Sequence, residues 1–177
     1  YRPGVVGFFI MIVLIFAAIC APVVAKQNPF YQNYSELKQP PSEGHILGTD
    51  AIGRDVWARL IYATRVSLSV GLVSVSIYTV IGTILGTIAG YFGGAADTII
   101  MRFADIVMCF PSLIIIITVV ALIGPSLNNI MIVIGLLSWP SIARLVRGQF
   151  LSLREQEFIT AARSMGLPSH RIITKHM

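Results

Sequence analysis

Four apolar runs, each close to the length that crosses a bilayer, set the pattern of this chain. They extend from about Val5 to Val24, Val66 to Tyr91, Ile106 to Ile123 and Leu127 to Leu145. A helix needs ~20 apolar residues to cover the hydrocarbon, so the pattern predicts four transmembrane helices in an all-α, polytopic bundle. The first run is longer than the ~7 to 15 residues of a signal-peptide core. It is therefore read as a retained span, although Val23-Val24-Ala25 has the look of a cleavage site. The second carries Gly82, Gly86 and Gly90 at a four-residue period, a stripe of bare backbone suited to close helix packing. Pro111 should kink the third helix near its start, and Trp139-Pro140 should bend the end of the fourth.

Two polar segments interrupt this pattern with local structure of their own. In the first, Gly48-Thr49-Asp50-Ala51-Ile52-Gly53-Arg54-Asp55, either Thr49 or Asp50 can cap a helix on which Val56, Leu60 and Ala63 share a face. A metal site would draw on His45, Asp50 and Asp55. Their spacing matches no calcium loop and no second histidine accompanies them, so the capped helix is the preferred reading and no metal is expected. Asn33-Tyr34-Ser35 fits a glycosylation sequon, a triplet common by chance. In the second polar segment, Phe158, Ala161, Ala162 and Met165 fall at i, i+3, i+4 and i+7, with Glu157, Thr160, Arg163 and Ser164 opposite. Gly166 suits a left-handed helix stop and Pro168 forbids continuation. The two alanines keep the apolar face thin, as docking in a groove requires. An interfacial helix lying on lipid would show the same pattern.

Composition strengthens the membrane reading. Of 177 residues, 55% are hydrophobic and 12% charged, against ~25% charged in soluble domains, and the mean hydropathy is +0.80. The net charge of +5 accompanies no nucleic-acid-reading signature, so no nucleic-acid partner is expected. The basic residues instead set topology. Arg144, Arg147, Arg154, Arg163, Arg171 and Lys175 follow the fourth run against only Glu155 and Glu157. This places the tail and, counting back, the N-terminus in the cytoplasm, with 26–65 outside. The chain then divides into a first span (1–25), an extracytoplasmic segment with an amphipathic helix (26–65), spans two to four (66–145) and a cytoplasmic loop (146–177). Cys20 and Cys109 lie in apolar runs and read as packing residues.

Chemistry is sparse. Neither a phosphate-binding G-x-x-x-x-G-K-[ST], an H-E-x-x-H nor a G-x-S-x-G turn occurs, so the chain is not expected to be an enzyme. Asp97, Arg102 and Asp105 lie between the second and third runs, where Arg102 and Asp105 suit an i, i+3 ion pair better than a proton relay. The middles of the runs hold no ionisable side chain, which points to an energy source outside the spans.

Taken in order, several motifs resemble one family. They are Gly48-Thr49-Asp50-x-x-Gly53-Arg54-Asp55, Arg59-Leu60-Ile61-Tyr62, Arg65-Val66-Ser67-Leu68, Gly90-Tyr91-Phe92-Gly93-Gly94, Pro111-Ser112, Trp139-Pro140 with Ala143-Arg144, and Ala161-Ala162-Arg163 to Gly166. Together they resemble the membrane permease subunits of bacterial ABC importers for dipeptides, oligopeptides or nickel. The resemblance covers nearly the whole chain and implies a type I importer fold in the bacterial inner membrane, with two further spans beyond Met177. It implies that Glu157, Phe158, Ala161, Ala162, Arg163, Met165 and Gly166 belong to an "EAA" coupling loop that docks on an ATPase. Thr160 stands where many members have the motif's Glu, which leaves that carboxylate without a counterpart here. The implied partners are a second permease, two ATP-binding subunits that hold ATP and Mg, an extracytoplasmic substrate-binding protein and lipid. This chain itself is expected to bind no cofactor. A nickel or nickel-chelate importer is the alternative substrate reading, and a membrane scaffold for a cytoplasmic protein is the alternative of another class.

Overall fold

A computed structural model describes residues 2–175 and 177; among these, eight helices and no strand occur. The chain forms two compact units, 1–71 and 72–177, and each is described by itself.

In the first unit, α1 (Arg2–Ile19) is apolar on every side. Val5, Phe8, Phe9 and Phe16 are all exposed and only Ala18 is buried, the profile of a helix solvated by lipid. Pro22 in the first turn of α2 (Ala21–Val24) starts a new helix rather than extending α1, because proline cannot donate to the preceding turn. Ala21 and Ala25 pack against Ala58 and Ile61 of α3 (Val56–Phe92). This corrects the expected face: Leu60 and Ala63 are exposed, and Ala58 with Ile61 turns inward. The amphipathic helix and the second span are also one 37-residue helix rather than two elements.

The second unit is built on the packing of α3 against α6 (Leu127–Arg154). A Cβ on Gly82 would meet Ile142 Cβ at 2.7 Å, and one on Gly90 would meet Phe150 Cβ at 2.6 Å; between them, Gly86 faces the Ala143 carbonyl. The Ser74 hydroxyl donates to the Met131 carbonyl at 3.0 Å, adding a polar tie between the two helices. Pro140 is buried inside α6, which runs through it and on to Arg154.

The third apolar run differs from the expected kinked span. It is two helices, α4 (Gly94–Cys109) and α5 (Ser112–Ile123), bent by 83°. Proline disfavours the helical region for the residue before it. Phe110 is accordingly extended (φ −96°, ψ 138°), so Pro111 breaks the helix outright. Among the described residues three helices, α1, α3 and α6, are long and apolar enough to span a membrane by themselves, and the bent pair, taken as one span, makes a fourth.

Candidate functional site

The segment after α6 is held by a small apolar core. Leading out of α6, Gln156 is extended, and α7 (Glu157–Ser164) carries Glu157 in its first turn and Arg163 in its last, both favourable to the helix dipole. At its end Gly166 is left-handed (φ +74°). Its N–H donates to the Arg163 carbonyl at 2.9 Å, and the Leu167 N–H to the Ala162 carbonyl at 3.3 Å. These two bonds form a Schellman stop. Pro168 then opens α8 (Ser169–Lys175), its carbonyl accepting from Arg171 at 2.9 Å and Ile172 at 3.2 Å.

Ile159, Ala162 and Ile172 are buried with Tyr91 of α3 and Phe150 of α6. The expected apolar face of α7 is therefore split. Ala162 turns inward with Ile159, whereas Phe158 (50% exposed), Ala161 and Met165 (74% exposed) lie bare. Ile159 was absent from the expected set, although its i, i+3 spacing to Ala162 was a usable signal. Arg163 lies over the Tyr91 ring, 5.1 Å from its centroid, so its charge is already engaged within the chain.

The polar segment before α3 closes on itself. Gly48 and Gly53 both have φ +75°, and a Cβ on either would overlap a backbone oxygen, that of Gln39 or of Asn33. Asp50 Oδ1 accepts the N–H groups of Ile52 and Arg54, each at 3.0 Å, while Oδ2 receives Arg54 Nε at 2.8 Å and the Arg59 guanidinium. The Arg54 N–H foremost, then that of Ile52 and the Arg54 side chain, hold the Asp50 carboxyl well below the usual carboxylate range. The Thr49 hydroxyl accepts from the Gln39 N–H at 2.8 Å and donates to the Glu36 carbonyl. Neither Thr49 nor Asp50 caps α3, contrary to expectation. Asp55 does, its Oδ1 accepting the Ala58 N–H at 2.6 Å, because it alone stands at the three-residue spacing an N-cap needs. His45 lies between two carboxylates, with Nδ1 2.8 Å from Asp55 Oδ2 and Nε2 3.3 Å from Glu36 Oε2. The Asp55 hydrogen bond, seconded by Glu36, raises the His45 pKa above its ordinary value. Asp50 is turned to Arg54 and Arg59 rather than to His45 and Asp55, and among the described residues no group of three or more His, Cys, Asp or Glu side chains is arranged to hold a metal ion.

The charges near α4 are paired across helices. Arg147 of α6 grips Asp97 with two bonds of 2.5 and 2.6 Å, and Arg144 reaches Asp105 at 2.6 Å. The expected Arg102–Asp105 pair is longer, at 3.8 Å. Sequence reasoning missed the cross-helix partners, since nothing local specifies them. At the α4–α5 elbow, a groove of about 240 Å³ is lined by Val107, Phe110, Ser112, Leu137, Ser138 and Ser141.

Long apolar helices, a glycine-packed pair and a cross-braced broken helix define an integral membrane protein of the multi-span helical class. The chain belongs to the binding-protein-dependent transport system inner membrane component family, whose family model matches residues 82–177. A second model, the N-terminal transmembrane domain of oligopeptide transport permease C, matches residues 2–41. Among its relatives, a dipeptide transport system permease protein of Alkalihalophilus pseudofirmus is 43% identical over 174 residues, covering 98% of this chain and 57% of the relative. A glutathione transport system permease protein of Pectobacterium atrosepticum is 38% identical over 171 residues, 97% of this chain and 57% of the relative. An oligopeptide transport system permease protein of Bacillus subtilis is 35% identical over 174 residues, 98% of this chain and 57% of the relative. The chain thus spans just over half the length of these relatives.

Proposed function

We propose that the chain is part of the membrane permease of an ABC importer for dipeptides or oligopeptides, supplying one side of the translocation path. The relatives named for dipeptide, oligopeptide and glutathione transport favour a peptide over nickel as substrate. In this reading a second, related permease completes the path and a binding protein delivers substrate from outside. Two ATP-binding subunits hold ATP and Mg, and their closure drives alternating access. The N-terminus and α7 face the cytoplasm, as the basic cluster from Arg144 to Lys175 favours.

The observation that carries the coupling role is the division of labour on α7. One side is anchored through Ile159 and Ala162 to the ends of α3 and α6, and the other offers Phe158, Ala161 and Met165 unoccupied. A helix so anchored transmits a push on its bare side to the spans, which is the rigid contact that two-state coupling requires. Glu157 extends the same surface at the helix start.

The test is purification in mild detergent of the intact tagged subunit, co-expressed with its partners, beside Gly166→Asp. Wild type should bring down ATPase activity and the variant should lose most of it, because only glycine takes the left-handed stop without strain. ATPase recovered equally with both would remove α7 from the coupling role. No ATPase with either would turn the reading to a membrane scaffold.

A further inference from the structure

We propose that residues 33–55 form an acid-tightened clamp, in which a doubly protonated His45 ties the loop to the first turn of α3 and loss of one proton frees the Glu36 arm. The geometry requires the charged ring. A neutral imidazole has one N–H and one lone pair, yet both ring nitrogens here face carboxylate oxygens. Only the imidazolium satisfies both. The two carboxylates come from opposite sides, Glu36 from the loop and Asp55 from the helix start, so the ring is a cross-link between elements.

The two arms are unequal. Asp55 is 5% exposed and its other oxygen is committed to the Ala58 N–H, so the last ring proton stays on Nδ1. Nε2 is then left with its lone pair against Glu36, which is half-exposed and free to swing away. Glu36 Oε2 also accepts from Asn33 Nδ2 at 2.8 Å, so the departure of this side chain frees the start of the loop as well. Of the titratable and charged groups around the segment, Tyr31 shares a pocket wall with His45 and Glu36, while Arg54 and Arg59 are turned to Asp50.

The sign follows from the raised His45 pKa. The clamp's contribution is complete below about 6.5, the unfolded value, and is lost as pH rises through the higher folded value. Asp50 is held below the usual carboxylate range and remains ionised throughout, so it adds no change in this interval. The orientation proposed above would expose the clamp to the outside medium, whose pH the cell does not hold fixed; only this physiological meaning rests on that reading.

The test is hydrogen exchange of the intact, detergent-solubilised subunit at pH 6.0 and 8.5, corrected for intrinsic exchange and read over the peptide covering 33–60. In wild type, protection should fall severalfold between the two pH values, the direction set by the raised His45 pKa. His45→Gln should show no such fall, and Glu36→Gln should lose most of it while keeping the Asp55 contact. Equal protection of wild type at both pH values overturns the clamp, as does a wild-type pH response in His45→Gln. Should His45→Gln expose the segment at both pH values, Glu36→Gln decides: a full wild-type response there overturns the proposal, and a diminished one supports it. The readout needs no transport, so it stands or falls apart from the importer reading.

Discussion

Left-handed glycines serve opposite ends in the two polar segments of this chain. Around Gly48 and Gly53 the space where a side chain would sit is already filled by the Gln39 and Asn33 carbonyls. Around Gly166 nothing lies within 4 Å, although its φ is nearly the same. The first segment spends its polar groups internally: Asp50 on Arg54 and Arg59, Asp55 on Ala58 and His45, Thr49 on Gln39 and Glu36. The second fixes its backbone and leaves Phe158, Ala161 and Met165 facing outward. A motif of turn glycines is thus ambiguous by itself. What distinguishes a closed loop from an offered surface is whether the space beside the glycine is taken.

The sharpest way to break the contrast is Gly53→Ala. The new methyl would overlap backbone rather than the tip of a flexible side chain, at a φ that alanine disfavours, so the loop cannot give way cheaply. A loss upward of about 4 kcal/mol is expected, which only a named structural fault of this kind produces. Proteolysis of the solubilised subunit should show residues 26–55 cut rapidly in the variant and slowly in wild type. Wild-type resistance in Gly53→Ala would mean that the loop is not closed.

Next in size is Ile159→Ala. Ile159 is fully buried against Tyr91, Phe150 and Ile172, and truncating it leaves a cavity costing about 2 to 3 kcal/mol. Because the cavity lies under α7, unfolding in detergent should show α7 and α8 losing protection before the spans do. If the variant kept wild-type protection in 157–175, the helix would be held by something other than this core.

The spans were legible because their cause is local: apolar length alone assigns α1, α3 and α6 to the membrane. The glycine stripe could be read from its period, and its neighbours Ile142, Ala143 and Phe150 only from the fold. The elbow at Pro111 was half legible. A proline predicts trouble, but whether the helix kinks or breaks depends on the extended backbone that Phe110 adopts. Least legible were the partners distant in sequence. Arg147 and Asp97 are fifty residues apart, and Tyr91 finds Arg163 across seventy-two, separations at which no periodicity speaks. The error on α7 has the same origin, since its pattern admits two overlapping apolar faces and only the position of Tyr91 and Phe150 decides which one turns inward.

The smallest effect on stability should come from Phe158→Ala, and it separates the two segments most cleanly. Half of Phe158 is already exposed and no core residue leans on it, so folding should change by no more than about 0.5 kcal/mol. If α7 is the surface for the ATPase, the same change should still weaken the complex by more than about 1 kcal/mol, a fivefold or larger rise in dissociation constant, since exposed aromatics are the usual anchors of an interface. Titration of purified wild-type and variant subunits in nanodiscs with the cognate ATPase reads the difference directly. Stability unchanged with affinity lowered marks an offered surface. Affinity unchanged would make α7 as self-contained as the loop before α3, and the contrast between the two segments would disappear.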